Sequence, residues 1–151
     1  MRAVIQRVSS ASVSVDGKIV GKIWIGYMIL LGVTHDDTLR EVEKLAEKIS
    51  KIRLFPDDDK PINRSITDVD GEILLVSQFT LYGDTRKWNR PSFVNSAKPD
   101  HANELYGLMK SKLEEKTEKP IQCGIFWAMM EVSLINDGPV TLLIEANNWQ
   151  K

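Results

Sequence analysis

From Arg2 to Val15 apolar and polar residues alternate over most of the stretch, as on a strand with one buried face, and Asp16-Gly17 then offers a turn before a second alternating run, "KIVGKIWIG". "YMILLGV" (27–33) is apolar without interruption, which is what a strand covered on both faces looks like. The period then changes. Leu39, Val42, Leu45, Ala46, Ile49 and Ile52 recur at helical spacing, and Thr38 with Glu41 fits a capping box. After "IRLF", the stretch "PDDDKPINRSITDVDG" is polar and rich in turn residues, and "EILLVSQFTLY" (72–82) returns as a strongly apolar strand. A second helix is predicted after Pro99-Asp100, with Leu105, Tyr106, Met109 and Leu113 on one face. "IQCGIF", "MEVSLI" and "VTLLIEA" are three further strand candidates. Two helices among roughly seven to nine strands exceed one helix-covered sheet of ordinary size. The pattern predicts an α/β protein with layered β/β/α architecture, mixed sheets, and the two main helices on one outer face.

"LINDGPVTLLIE" (134–145) poses a specific question, because a proline directly follows the turn glycine. Asp-Gly between apolar runs is by itself a strong hairpin signal. Proline removes an N–H from the ladder and belongs at a strand start, an edge or a special turn. One reading is a hairpin whose second strand begins with Pro139; the other is that Gly138-Pro139 is itself a functional element, in the cis form.

Composition narrows the classes. With 151 residues, 42% of them hydrophobic, the chain is expected to form a single domain over 1–151. A formal net charge of −1 gives no long-range positive field, so any nucleic-acid contact must come from a local patch. Cys123 is the lone cysteine, which excludes an internal disulfide and a multi-cysteine metal site. No signal-like or membrane-length apolar run is present, and a soluble, cytoplasmic protein is expected. His35 and His101 sit in no recognisable ligand spacing, and the acidic residues of "HDD" (35–37) read as helix caps rather than metal ligands. Phosphate-binding glycine loops and dinucleotide fingerprints are missing, and no metal or cofactor is expected.

Two segments carry candidate chemistry. "LLVSQFTLYGD" ends a buried-type strand in Ser77, Gln78, Phe79 and Thr80, where a rigid element fixes polar groups and the strand end leaves N–H groups unpaired. Ordinary alternation, with Ser77 and Phe79 on one face and Gln78 and Thr80 on the other, is the alternative. In "DTRKWNRPSF", Arg86, Lys87 and Arg90 are interleaved with Trp88 and Phe93, which suits RNA, since cations meet phosphates and rings stack on bases. A solvated loop with aromatic anchors would look the same.

Together these segments resemble the D-aminoacyl-tRNA deacylases. "AVIQRVSSASVSVDG", the "LLGV" run before an acidic helix start, "SQFTLYGDT", "RPSF" and "VSLINDGPVTLL" are similar to that family in order and spacing, from residue 1 to about 146. Trp127 stands where the family usually has a small residue, Met129 where it has an acidic one, and Trp88 where a small residue is expected. The resemblance implies a hydrolase that cleaves the ester between a D-amino acid and the terminal adenosine of tRNA. Ser77, Gln78, Phe79 and Thr80 would form its catalytic segment, and Asn136, Gly138, Pro139, Phe126 and Met130 would hold the substrate. It also implies a homodimer in which a cis Gly138-Pro139 of one subunit reaches the partner's site and its backbone rejects L side chains. Glycyl-tRNA would then also be cleaved. Arg86, Lys87 and Arg90 would contact the RNA. Two other readings remain at this point: a covalent esterase with Thr80 as nucleophile, and a non-catalytic RNA-binding module.

Overall fold

In a computed structural model the described residues are 1–148, so the last three residues of the domain expected over 1–151 lie outside them. Strand β1 (Arg2–Val15) turns at Asp16-Gly17 into β2 (Lys18–Ile23), and β3 (Gly26–Gly32) follows. Helix α1 (Leu39–Lys51), the short strands β4 (Arg53–Phe55) and β5 (Arg64–Ser65), and strand β6 (Glu72–Ser77) come next. A 3-10 turn (Phe79–Tyr82), helix α2 (Pro99–Thr117), β7 (Gln122–Cys123) and the long β8 (Glu131–Glu145) complete the order before a last 3-10 turn.

β1 organises the sheet. Along one edge its first half pairs antiparallel with β3 and its second half with β2; along the other edge it pairs with β8 almost end to end. β3 continues parallel to β6, and β6 parallel to β7, which makes the sheet mixed. β2 returns close to β7: a Cβ added at Gly21 would sit 2.8 Å from the Cys123 carbonyl oxygen. One six-stranded sheet therefore folds over until it is nearly closed, and the two expected β layers are two parts of that one sheet. The helices make the third layer.

This arrangement creates two cores. Val8, Ala11, Val13, Ile23, Met28, Leu74 and Val76 fill the inside of the folded sheet. Ala3, Ile5, Tyr27, Ile29, Leu31, Ile73 and Leu75 face the other way and pack with Val42, Leu45 and Ile49 of α1 and Leu105, Met109 and Leu113 of α2. Alternate residues of β3 and β6 thus enter different cores, and this is why both strands read as continuous apolar runs. In β1, Val8 and Ala11 are three apart yet share the inner core, which requires an extra residue. The register against β8 shifts between Val8 and Ser10 to supply it. α1 begins with the expected capping box, Thr38 with Glu41, and α2 has Pro99 in its first turn.

Two expectations from the sequence need correction. "MEVSLI" and "VTLLIEA" are not the arms of a hairpin: β8 runs through both, and both pair with β1. The arms of a hairpin would pair with each other, whereas a long neighbouring strand offers each of them a better ladder. "IQCGIF" contributes only Gln122 and Cys123 to the sheet.

Gly26, where β3 meets β6, is the tightest backbone approach, since a Cβ there would lie 1.8 Å from the Glu72 carbonyl oxygen. Gly26→Ala is expected to destabilise the protein by about 3 kcal/mol, because Gly26 and Glu72 are paired backbone in the β3–β6 ladder and neither chain yields without breaking it. Urea denaturation checks this, with Gly17→Ala as the comparison: that site has open space around it but a φ of +75°, so its cost should be nearer 1 kcal/mol.

Candidate active site

β6 ends at Ser77, beside the carboxyl end of its parallel neighbour β3. Gln78 donates its backbone N–H to the Leu31 carbonyl at 2.8 Å, which ties the end of β6 to β3, and the chain then tightens into the 3-10 turn Phe79–Tyr82. Phe79 and Thr80 open that turn, so their N–H groups precede its first internal bond, Leu81 N–H to the Gln78 carbonyl. The Gln78 side-chain amide donates to Thr80 Oγ1, and Ser96 Oγ donates to the Phe79 carbonyl at 2.9 Å. One bond within the segment and one from the Ser96 loop thereby hold it, and Thr80 has its hydroxyl bonded to an amide rather than to a base.

A pocket of about 380 Å³ opens at this strand end. Ser77, Gln78 and Phe79 form one side; Phe126, Trp127, Met129 and Met130 form another; Pro99 and Ala102 of α2 close it. Crevices at the carboxyl ends of parallel strands are a recurrent place for ligands, because the diverging chains leave a gap there. The lining is mostly apolar and contains no Asp, Glu, His, Lys, Arg, Cys or Tyr among the described residues. Nucleophile activation by a side-chain base of this chain has no group to perform it there. Tyr106, directly behind the lining at Phe126, donates its hydroxyl to the Leu75 carbonyl at 2.7 Å, and burial pushes its phenol far above the usual range.

Rings run along the rim. Phe79 meets Phe93 edge-on at 5.0 Å between centroids and Trp127 at 5.9 Å with 30° between planes; Trp127 meets Phe126 at 6.3 Å and 29°. Trp127 has a φ of +66° and is 68% exposed, and Met129 is 92% exposed. The left-handed backbone costs a bulky L residue about 1–2 kcal/mol. In the sequence Trp127 and Met129 stand out only as departures from a family pattern, because a backbone dihedral has no one-letter signature.

Asn136, Gly138 and Pro139 lie elsewhere. Val8 pairs with Asn136 and Gln6 with Thr141, so residues 137–140 stand opposite Arg7 alone and bulge out of the ladder. The Gly138-Pro139 bond is cis, and both residues are exposed. Asn136 braces the bulge: its Oδ1 accepts from the Val140 N–H at 2.9 Å and its Nδ2 donates to Thr141 Oγ1 at 2.8 Å. Arg7, 7% exposed, supports it from below, donating from Nε to the Asp137 carbonyl at 3.0 Å and from Nη1 to the Leu54 carbonyl at 2.6 Å. Of the expected site residues, the structure brings Ser77, Gln78, Phe79, Phe126 and Met130 to one pocket with Thr80 beside them. Asn136, Gly138 and Pro139 do not line it.

The third group, Arg86, Lys87 and Arg90, sits on an exposed loop closed by paired backbone bonds between Asp84 and Ser92. Arg86 is clamped by Asp84, with Nε at 2.9 Å and Nη2 at 2.6 Å from its carboxylate. Lys87, Trp88 and Arg90 are exposed on the same loop.

A family model described as D-Tyr-tRNA(Tyr) deacylase matches residues 4–145 of this chain. The chain belongs to that family. It is 53% identical, over 96% of its length and 99% of the relative's, to a protein of Exiguobacterium sibiricum named D-aminoacyl-tRNA deacylase. A Thermus aquaticus protein of the same name is 53% identical over 97% of this chain and 96% of its own. Among solved structures, the c-Myc DNA unwinding element binding protein superposes with a TM-score of 0.89 at 38% identity, covering 96% of this chain and 98% of that one. A probable eukaryotic D-amino acid tRNA deacylase shares the fold, with a TM-score of 0.83 at 16% identity. The matched span takes in every segment above: the β6 end, the ring-lined pocket, the loop and the β8 bulge.

In this deacylase-family chain the Arg86 hydrogen bonds hold the Asp84 carboxyl down at about 2, against an ordinary value of 3.8. A depressed carboxyl adds stability to the closed loop above its ordinary range and loses it as pH falls through the folded value. The Asp84 carboxyl, followed by NMR, should therefore titrate near pH 2 in the parent and return toward 3.8 in Arg86→Ala. Identical midpoints would mean that the clamp is absent in solution.

Proposed function

We propose that the whole chain works as one domain that hydrolyses the ester between a D-amino acid and the terminal adenosine of tRNA, in the cytoplasm, releasing both. The observation that carries this reading is the β6 end itself: in a member of this family, Ser77 and Gln78 open on a pocket without ionisable groups, and the first N–H groups of a 3-10 turn follow. An aminoacyl ester is already reactive. Orienting it and meeting the developing oxyanion with the N–H groups of Phe79 and Thr80 supplies most of what hydrolysis needs, with water as the attacking group, aided by the ribose hydroxyl of the RNA.

The absence of a base in the pocket argues against a covalent Thr80 mechanism. A net charge of −1 argues against a module that only binds nucleic acid, which needs cations in excess. The same reading makes the active form a homodimer, with Gly138-Pro139 of one copy closing the pocket of the other. Its support is that the bulge is exposed outside its own pocket, and that β8, which among the described residues pairs only with β1, carries the exposed apolar residues Ile135, Leu142 and Leu143. Main-chain atoms at that position would exclude an L side chain without reading the identity of a D one, leaving no means of refusing glycine.

The test is ester loss from D-Tyr-tRNA, L-Tyr-tRNA and Gly-tRNA. Cleavage of the D and glycyl esters with the L ester spared is expected; L cleaved as fast as D would end the exclusion account. Thr80→Ala should slow hydrolysis by about tenfold without abolishing it. A trapped acyl-Thr80 in the parent would transfer the assignment to covalent catalysis. Gly138→Ala is a poor probe, because its Cβ would press to 2.8 Å from Val140 Cγ2 and 3.0 Å from Arg7 Nη2 and disturb the bulge as a whole. For the loop, the pair Lys87→Ala and Arg90→Ala should weaken tRNA binding for every amino acid and lower the salt slope by about 1 to 2, leaving the D/L ratio unchanged.

A further inference from the structure

We propose that Trp127 is a stacking platform for a nucleobase at the pocket mouth, a residue that sets affinity for the terminal nucleotide and takes no part in bond breaking. This rests on the reading that the aminoacyl end of a tRNA enters the pocket.

Four observations converge on it. Trp127 keeps a φ of +66°, a conformation glycine adopts freely and a bulky L residue rarely does, so something other than backbone comfort retains the indole there. The indole is 68% exposed although it is among the largest apolar groups in the chain. Its orientation is nonetheless defined, since Phe79 and Phe126 lie within 6.3 Å of it at interplanar angles of 30° and 29°. A side chain held in direction with most of its surface open is prepared for a flat partner. Finally, the lining offers no charge, only Ser77, Gln78 and apolar groups, so a phosphate has nothing to grip whereas an aromatic ring does.

The chemistry separates the roles. Trp127 has no titratable group and no acceptor, so it can neither move a proton nor attack an ester. Base stacking acts on ground state and transition state alike, so losing it should raise KM and spare kcat.

The experiment uses the full chain and Trp127→Phe, Trp127→Leu and Trp127→Gly. Each is titrated with adenosine 5′-monophosphate and with ribose 5-phosphate, following tryptophan emission, and assayed on D-Tyr-tRNA. The nucleotide should quench the parent while the sugar phosphate does not, and Trp127→Leu should lose that quench. KM should rise about tenfold to a hundredfold in Trp127→Leu and Trp127→Gly, with kcat within about threefold. Trp127→Phe should recover most of the affinity. Trp127→Gly should be no less heat-stable than Trp127→Leu, which separates lost stacking from misfolding. KM within about twofold of the parent in Trp127→Leu overturns the proposal, as does an equal loss in Trp127→Phe. A change in sedimented mass with KM unmoved overturns it too, and makes Trp127 a contact between copies. A parent that cleaves no D-Tyr-tRNA but still shows the nucleotide-specific, Trp127-dependent quench would end the deacylase reading and leave the stacking site standing.

Discussion

Strand β1 must serve three partners with one backbone, and most of the architecture follows from how it does so. Its edge is divided between β3 and β2, so the sheet has to bend where the partner changes. The shift near Ser9 and Ser10 lets Val8, Ala11 and Val13 enter the same inner core despite their broken spacing. On its other edge β8 follows almost the whole length, yet carries four residues, 137–140, where β1 has only Arg7. Those residues cannot pair and must leave the plane. Arg7 fills the space beneath them, and its donors meet the carbonyls of Asp137, Leu54 and Pro61, so a nearly buried guanidinium stays satisfied. Gly138-Pro139 is therefore presented by a mismatch in strand length rather than by a free loop, and Asn136 and Arg7 brace it against the ladders on either side.

The pocket depends on a different consequence of the same sheet. Because β3 and β6 run parallel and each is buried on both faces, their carboxyl ends stop together under α2, and the chain leaving β6 has to turn at once. The turn exposes N–H groups where a strand would have paired them. An apolar surround makes such groups more effective, since no water competes for the charge they face. The lining described carries no side-chain base, which suits a substrate that is already activated, as an aminoacyl ester is.

Both helices were legible in the sequence because their apolar faces carry long periodic signals, confirmed by Val42, Leu45 and Ile49 in α1 and by Leu105, Met109 and Leu113 in α2. The two-sided burial of β3 and β6 was legible for the same reason. β8 was not. Asp137-Gly138-Pro139 is a strong local turn signal, and only the distant β1, more than a hundred residues earlier, converts it into a bulge within one strand. "SQFT" could be located as the end of an apolar strand, but not as the start of a 3-10 turn, because alternation continues on paper through Phe79 and Thr80. Arg86 looked like a free cation for RNA; its neighbour two residues back occupies its guanidinium. Only the β8 miss was decided by a distant contact; the other two turned on bonds two and three residues apart, which alternation and residue type do not encode.

The charge balance constrains how such a molecule gathers an RNA substrate. A chain with 20 basic and 21 acidic side chains has no net positive charge to draw RNA from a distance, so affinity has to be assembled from local contacts. The clamp on Arg86 subtracts one candidate cation from the loop, which leaves Lys87 and Arg90 beside the exposed ring of Trp88. Two cations contribute modestly against counterion release, whereas a stacked base adds binding that salt does not screen. Exposed rings at both ends of the surface, Trp88 on the loop and Trp127 at the pocket, are thus what a nearly neutral protein has available in place of a basic face. On the proposed reading they would hold an RNA by the planarity of its bases, which every sequence shares, and leave discrimination to the geometry of the reacting end.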